Sequence, residues 1–545
     1  MSVLQMNPRT RTEILLLVAF CGFLFFYGLG AFGLVGADEP RYAQIAREMH
    51  DRSDWITPTL LGKPWLEKPP LYYWQAMVAY EFGQTFLALN DGVSDQTARL
   101  PGAVDAALMI AAVYFFLRRF RTGTELEGAL ITASCAAVIG FARAASTDMP
   151  LAAAFTIALL GWYDWYESQR RVGLAVCYVF LALGMLAKGP VAPLLAALIV
   201  VIFAAARREW SVLLRTLWLP GIAIFLVVGL PWYILVQMRN PGFFRFFVLE
   251  HNLGRFATSV YHHPQPFWFF LPVFLLAMMP WTLWLIAAVV EEVRGIWREG
   301  KAAFASAEDS WPLFLLIWML APILFFSVSQ SKLPGYILPA VPAGALLVSD
   351  YLAARRDERV RISGLFAAGH GILCGALVFG ALSAAAIART RHLALGKGTY
   401  VAAAIAGLFA VMIAGALATR RGLGLARSAT MAAVLVSVAA VIRLAAPAID
   451  DTQSARPIAE AIQAFSHEPV PVGLYHVGRV EEYGLDFYLN RPMQKYEDGE
   501  VPAEAHVLVA AANTESELRN LIGGRKVSYL TSIPEKKLEV YWVGK

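Results

Sequence analysis

From residue 12 to residue 447 the chain repeats one pattern: a long apolar run, a short charged link, then another apolar run. A helix crossing the hydrocarbon core needs about 20 mostly apolar residues. That length places spans at 12–34, 101–117, 126–142, 149–166, 173–187, 190–206, 214–237, 266–290, 311–327, 336–354, 362–388, 398–419 and 428–447, thirteen in all. Two long stretches, 35–100 and 238–266, break the pattern. In the first, Tyr42, Ile45, Ala46 and Met49 recur at helical spacing, and Tyr72, Tyr73, Trp74 and Tyr80 give the aromatic mix of a membrane–water interface. Both segments are expected to be juxtamembrane helices. After residue 448 the apolar runs stop. A helix over 455–465 capped by Ser454, strands at 470–477, 507–511, 526–530 and 538–543, and a helix over 514–522 predict a small α/β domain. The expected fold is a polytopic α-helical membrane domain over 1–447, with about thirteen spans, followed by an α/β domain over 448–545.

Composition supports this reading. A soluble chain of 545 residues would make three or four domains. With 58% hydrophobic residues, 16% charged residues and a mean hydropathy of +0.54, this chain belongs in a membrane. Disorder and nucleic-acid binding are disfavoured. The net charge of +5 resides largely in every second link, including Arg118, Arg119 and Arg121, Arg170 and Arg171, and Arg207, Arg208 and Arg215. By the positive-inside rule these links and the N-terminus are cytoplasmic, and an odd number of spans puts the C-terminal domain outside. The 389–397 link, with Arg389, Arg391 and Lys397, is the exception. Cys21, Cys135, Cys177 and Cys374 lie in apolar runs without metal or redox spacing and are expected to be buried.

The string Gly28–Gly33 spells GxGxxG, but it follows no strand and falls within the first apolar run, so close helix packing is expected there. No Walker A string and no Asp-x-Asp pair is present, and no nucleotide is expected. The chemistry-bearing residues gather at the outer ends of spans: Asp38, Glu39 and Arg41; Glu67 and Lys68; Arg143 and Asp148; Lys188; Glu250, His251, Arg255, His262 and His263; and Lys332. Each has a bland alternative. Asp38 and Asp148 precede prolines as helix caps do, the lysines can snorkel, and paired histidines are commonly surface residues. Their placement on one face favours a functional site, because charges at membrane depth cost a few kcal/mol each unless paired or wet.

Six strings carry a resemblance: Ala37-Asp-Glu-Pro-Arg-Tyr42, Leu66-Glu-Lys-Pro-Pro-Leu71, Arg143-Ala-Ala-Ser-Thr-Asp148, Ala187-Lys-Gly-Pro190, Glu250-His-Asn-Leu-Gly-Arg-Phe256 and Ser331-Lys-Leu-Pro-Gly-Tyr336. Together they resemble the lipid A 4-amino-4-deoxy-L-arabinose transferase family, GT-C glycosyltransferases related to protein O-mannosyltransferases. The resemblance implies transfer of aminoarabinose from undecaprenyl phosphate to lipid A phosphates on the periplasmic face of the inner membrane. That modification lowers the negative charge of lipid A and protects against cationic peptides such as polymyxin. It implies a catalytic group of Asp38, Asp148, Glu39 and Arg41. The lipid phosphate would be held by Lys68, Lys188, Arg255, Lys332 and Tyr336. A structural Zn²⁺ would lie on Glu67, His262 and His263. A monomer is expected, with membrane lipid as its surroundings. The rivals are another GT-C enzyme with a prenyl-phosphate sugar, such as a protein O-mannosyltransferase, and a lipid transporter. The polar clusters at helix ends and the lack of an internal repeat disfavour the transporter.

Overall fold

The computed structural model describes residues 7–247, 265–299, 310–358, 362–390, 396–419, 422–465 and 469–545. Each of the thirteen apolar stretches contains a helix, although the first ends at Phe26 and two others are broken. Eight helices are long and apolar enough to cross a membrane, or ten if each of two bent pairs counts as one span. The remaining three stretches fall short for visible reasons. Helix α1 (Pro8–Cys21) continues only through a π turn, Gly22–Phe26. Helix α7 (Asp148–Ser168) carries Asp164 and Glu167 near its end, and α9 (Val191–Arg207) has 17 residues. Of the bent pairs, α5 (Glu125–Ser134) and α6 (Ala136–Ala142) meet at 68°. The stretch expected as one span over 266–290 instead bends by 116° between Phe267–Ala277 and Thr282–Arg298. Pro280, which has no N–H to give a helix, lies in that break.

The first long loop folds as expected. Helix α2 (Asp38–Asp51) buries Tyr42, Ile45, Ala46 and Met49 against Tyr72, Tyr73 and Tyr80 of α3 (Leu71–Phe86). Two of these rings are satisfied at their polar ends: the Tyr80 hydroxyl donates to the Ala43 carbonyl at 3.0 Å and the Tyr72 hydroxyl to the Ala98 carbonyl at 2.8 Å. A short hairpin of β1 (Thr59–Leu60) and β2 (Lys63–Pro64) joins α2 to α3. Helices α4 (Asp95–Phe120) and α8 (Arg171–Lys188) then enter the bundle.

The glycine string lies outside the helix. The helix stops at Phe26, Tyr27 is extended, and Gly28 takes φ +62°, so the GxGxxG residues form a turn rather than the expected helix-packing face. The reason is crowding. A Cβ on Gly33 would stand 2.3 Å from the Ser454 hydroxyl and 2.5 Å from that of Tyr488.

The last membrane helix runs from Leu423 through Gln453, with a π turn at Val441–Ala445, so the sheet domain begins at Ser454, a few residues beyond the expected boundary. Ser454 caps Arg456–Phe465 as expected, its hydroxyl accepting from the Arg456 N–H at 3.2 Å. The sheet has strand order β4-β3-β5-β7-β6, with β3 (Val472–Tyr475) parallel to β4 (Gln494–Lys495) and to β5 (His506–Ala511). Strands β6 (Val527–Ile533) and β7 (Leu538–Val543) close it antiparallel. A helix that the sequence reading omitted, Arg479–Leu489, packs this domain on α2: the Arg47 guanidinium donates to the Phe487 carbonyl at 2.7 Å. The first long loop and the sheet domain therefore share one side of the bundle.

Candidate active site

The site grows from the turn between α1 and α2. Two arginines grip its backbone. Arg143 donates to the carbonyls of Leu24, Tyr27 and Gly28 at 2.8–3.1 Å. Arg99, only 1% exposed, donates to Leu29, Phe32 and Gly33 at 2.7–3.1 Å. Glu39 completes this buried knot. Its carboxylate pairs with Arg99 at 2.7 Å and accepts from the Val35 and Ala145 N–H groups at 2.7 and 2.9 Å. Both oxygens are committed to protein donors, which makes Glu39 a positioning residue in place of the expected catalytic one.

Asp38, one residue earlier, projects outward with its side chain 60% exposed. It caps nothing: Ala37 is the N-cap of α2 and makes no side-chain cap bond. It pairs with Arg41, at 2.5 Å. The Arg41 guanidinium lies among three rings, 5.3 Å from Tyr42, 5.3 Å from Trp65 and 5.6 Å from Tyr483. Burial opposes its charge, but Tyr42, Asp38 and Glu67 outweigh that and raise its pKa above the ordinary value.

Asp148 stands at the first turn of α7, and it too is no cap; it pairs with Lys188 at the end of α8, at 2.5 Å. The Lys188 ammonium lies 5.0 Å from the Tyr336 ring, and a Cβ on Gly335 would stand 2.6 Å from the Asp148 carboxylate. Tyr42 links the two clusters. Its hydroxyl is pushed above its usual pKa by burial first, then by Asp38 and, less strongly, Asp148, with Arg41 opposing. Two carboxylates, each with its own cation, thus act electrostatically on one tyrosine.

Glu67 and Lys68 sit half-buried in the bend before Pro69 and Pro70, and Glu67 acts electrostatically on both Arg41 and Tyr73. Lys332 departs from expectation. It is buried, and its ammonium donates to the Gln265 and Ser329 carbonyls at 3.0 and 2.6 Å, so it braces a loop instead of presenting a cation. Lys188, expected to meet a phosphate, is engaged by Asp148. Arg255, His262 and His263, with Glu250 and His251, lie outside the described residues. Among the described residues no three His, Cys, Asp or Glu side chains cluster as metal ligands. An apolar cavity of about 910 Å³ opens behind the turn, lined by Glu39, Arg99 and Arg143 at one end and by Leu377, Val434 and Val438 farther in.

Residues 67–235 match the profile of the dolichyl-phosphate-mannose-protein mannosyltransferases, a segment that includes Glu67, Lys68, Asp148 and Lys188. Undecaprenyl phosphate-alpha-4-amino-4-deoxy-L-arabinose arabinosyl transferases from Pseudomonas aeruginosa strains UCBPP-PA14 and PAO1 are 32% identical over 391 residues, 70% of this chain. The chain belongs to this arabinosyltransferase family. It spans 66% of the length of those two relatives. The Serratia proteamaculans arabinosyltransferase is 29% identical over 370 residues, 66% of this chain and 63% of that one. The fold agrees with family membership. The crystal structure of ArnT from Cupriavidus metallidurans bound to undecaprenyl phosphate superposes with a TM-score of 0.73 at 22% identity, over 97% of each chain. The apo oligosaccharyltransferase of Archaeoglobus fulgidus gives 0.51 at 12% identity, over 94% of this chain and 71% of that one. The chain is thus a multi-pass membrane protein with the GT-C fold of the arabinosyltransferases.

Several residues around the candidate site were not singled out from sequence. Arg99 lies two residues ahead of the expected second span, and its position beside an apolar run was the available signal. Arg456 and Tyr488 reach Asp95, Asp450 reaches Gly33 and Tyr483 reaches Arg41, each from 361 or more residues away in the chain, and no local pattern joins them.

Proposed function

We propose that the protein transfers 4-amino-4-deoxy-L-arabinose from undecaprenyl phosphate to a phosphate group of lipid A. The observation that carries the reading is the pairing of an exposed Asp38 with Arg41, near enough to the Asp148–Lys188 pair that both carboxylates act on Tyr42. In the reaction, an acceptor phosphate oxygen bonds to the sugar's anomeric carbon as the bond to the undecaprenyl phosphate oxygen breaks. The acceptor is already anionic, so little proton abstraction is required. Asp38 then serves to orient the acceptor or the sugar's ammonium group. The departing phosphate gains charge, and a cation placed beforehand stabilises it more than it stabilises the bound ester. Lys68 and Arg255 are assigned that task; Arg255 can fork two phosphate oxygens. Lys188 fixes Asp148. The apolar cavity is of a kind suited to a lipid chain, which supports a lipid-linked donor.

Glu67, His262 and His263 form a donor set that suits Zn²⁺, a carboxylate and two imidazoles. We assign the ion a structural role, tying the first long loop to the second. Equal zinc content in the wild type and in a His262→Ala/His263→Ala variant would reject the site. The Arg-rich links support a periplasmic active face on the inner membrane, with resistance to polymyxin as the outcome in the cell. Mass spectrometry of lipid A from cells expressing the protein tests the whole reading: an added aminoarabinose is expected, and unmodified lipid A beside a mannosylated protein would favour the hydroxyl-acceptor rival.

A further inference from the structure

We infer that the C-terminal sheet domain forms a working wall of the active site, and that Tyr483 and Tyr488 on its helix Arg479–Leu489 position the segment 33–41 that presents Asp38. The inference rests on the reaction proposed above for its kinetic consequence, while its structural half stands on contacts alone.

The helix touches both ends of the segment. At the near end, the Leu34 N–H donates to the Tyr488 hydroxyl at 2.7 Å, and that hydroxyl donates to Asp95 at 2.6 Å. The Gly33 N–H donates to Asp450 at 2.8 Å, and Arg456 bridges Asp450 and Asp95. Gly33 has no side chain to spare room for: the Ser454, Tyr488 and Asp450 oxygens all stand within 3 Å of where its Cβ would be. At the far end, Tyr483 supplies one of the three rings around Arg41. The other two, Tyr42 and Trp65, come from the loop itself. Arg41 is 13% exposed, and among the described residues its Nε is buried without a hydrogen-bond partner. The guanidinium is thus aimed by aromatic faces as well as by its pairing with Asp38.

The helix carrying the two tyrosines is itself fixed. Lys495 pairs with Glu482 at 2.5 Å and Lys536 with Glu481 at 3.1 Å, while the Arg47 guanidinium lies 4.7 Å from the Phe487 ring. A held aromatic face beside a buried cation keeps the planar group in one orientation, a contact worth about 1–2 kcal/mol when partly desolvated. Losing it lets Arg41 and then Asp38 swing. A misplacement of about 1 Å can cost far more in rate than in binding. Tyr483 and Tyr488 are therefore positioning residues, acting through Arg41 and through the Gly33–Leu34 backbone.

The test uses the full-length protein in detergent with aminoarabinosyl undecaprenyl phosphate and lipid A. Tyr483→Ala should lower turnover about tenfold, the loss expected from one such contact, with donor KM unchanged. Tyr483→Phe, which keeps the ring, should stay near the wild type. In an Arg41→Lys background Tyr483→Ala should cost much less, because the contact it removes is already altered. Equal losses in both backgrounds, or unchanged turnover in Tyr483→Ala, would overturn the inference. Hydrogen exchange supplies a readout independent of the reaction. The amides of 33–41 should exchange faster in Tyr488→Phe and Tyr483→Ala; unchanged protection in both would reject the clamp. If the wild type transfers no aminoarabinose, the substrate reading fails, and the exchange result still decides the clamp.

Discussion

Asp38 and Glu39 are neighbours with the same functional group and opposite circumstances. Glu39 is turned into the protein, where its two oxygens meet a buried arginine and two backbone N–H groups. Asp38 is turned out, 60% exposed, with a single cation beside it. A buried ion pair is costly to assemble and more costly to break, because removing one partner strands the other's charge. Such a pair suits a hub that must not move, and Arg99 uses it to hold three carbonyls of the turn. A carboxylate with water and substrate in reach suits chemistry. One residue of sequence, about 100° of helix, separates the two tasks.

The comparison breaks most sharply at Asp38. Asp38→Asn should lower sugar transfer at least about a hundredfold, on the scale of a lost catalytic carboxylate, while the unfolding temperature in detergent stays near that of the wild type. Retained transfer would return Asp38 to a structural role. Glu39→Ala should do the reverse at its root: it strands Arg99 and costs about 3–5 kcal/mol of stability, read by thermal unfolding, with activity lost along with the fold. Gly33→Ala should be milder, about 1–3 kcal/mol, because its methyl group must displace Ser454, Tyr488 and Asp450. A third carboxylate sharpens the contrast between buried and exposed acids. Burial, with help from the Glu482 charge, pushes Asp486 up from 3.8 to about 7. Between those values the folded state keeps a proton that the unfolded state has lost, so stability falls as pH rises through the window. Asp486→Asn should flatten that fall in urea unfolding of the full chain, without a change in transfer.

Much of the architecture was legible because it is written in periodicity. Apolar runs of span length became helices, the stripe Tyr42–Met49 became the buried face of α2, and four of the five sheet strands matched alternating segments. The failures have physical causes. The helix Arg479–Leu489 carries Gly484 in its middle, which reads as a breaker; in the structure a Cβ there would stand 2.4 Å from that of Ala455, so the glycine serves close packing. Strand β4 has two residues, too few to show a period. The 266–290 run looked straight because hydropathy does not register a bend. At the site, Asp38, Asp148 and Lys188 were visible as charges at apolar ends. The Glu39–Arg99 pair was not, because its members are 60 residues apart and the burial that pairs them exists only in three dimensions.

Two π turns, in the first and last apolar helices, have a consequence for how this chain can change. Gly22–Phe26 in the first helix and Val441–Ala445 in the last lie side by side: Ile442 crowds Gly28, and Arg443 bonds the Tyr27 hydroxyl. A π turn accommodates one residue more than an α turn without breaking the helix. Each therefore shifts the phase of the helix beyond it. Deleting the extra residue from α1 alone would rotate its end by about 100° against an unmoved neighbour. Tyr27 would leave Arg443, and the turn leading to Asp38 would start from the wrong azimuth. The first and last apolar helices thus meet in one phase across some 415 intervening residues, and a length change in one alone should break the Arg443–Tyr27 contact.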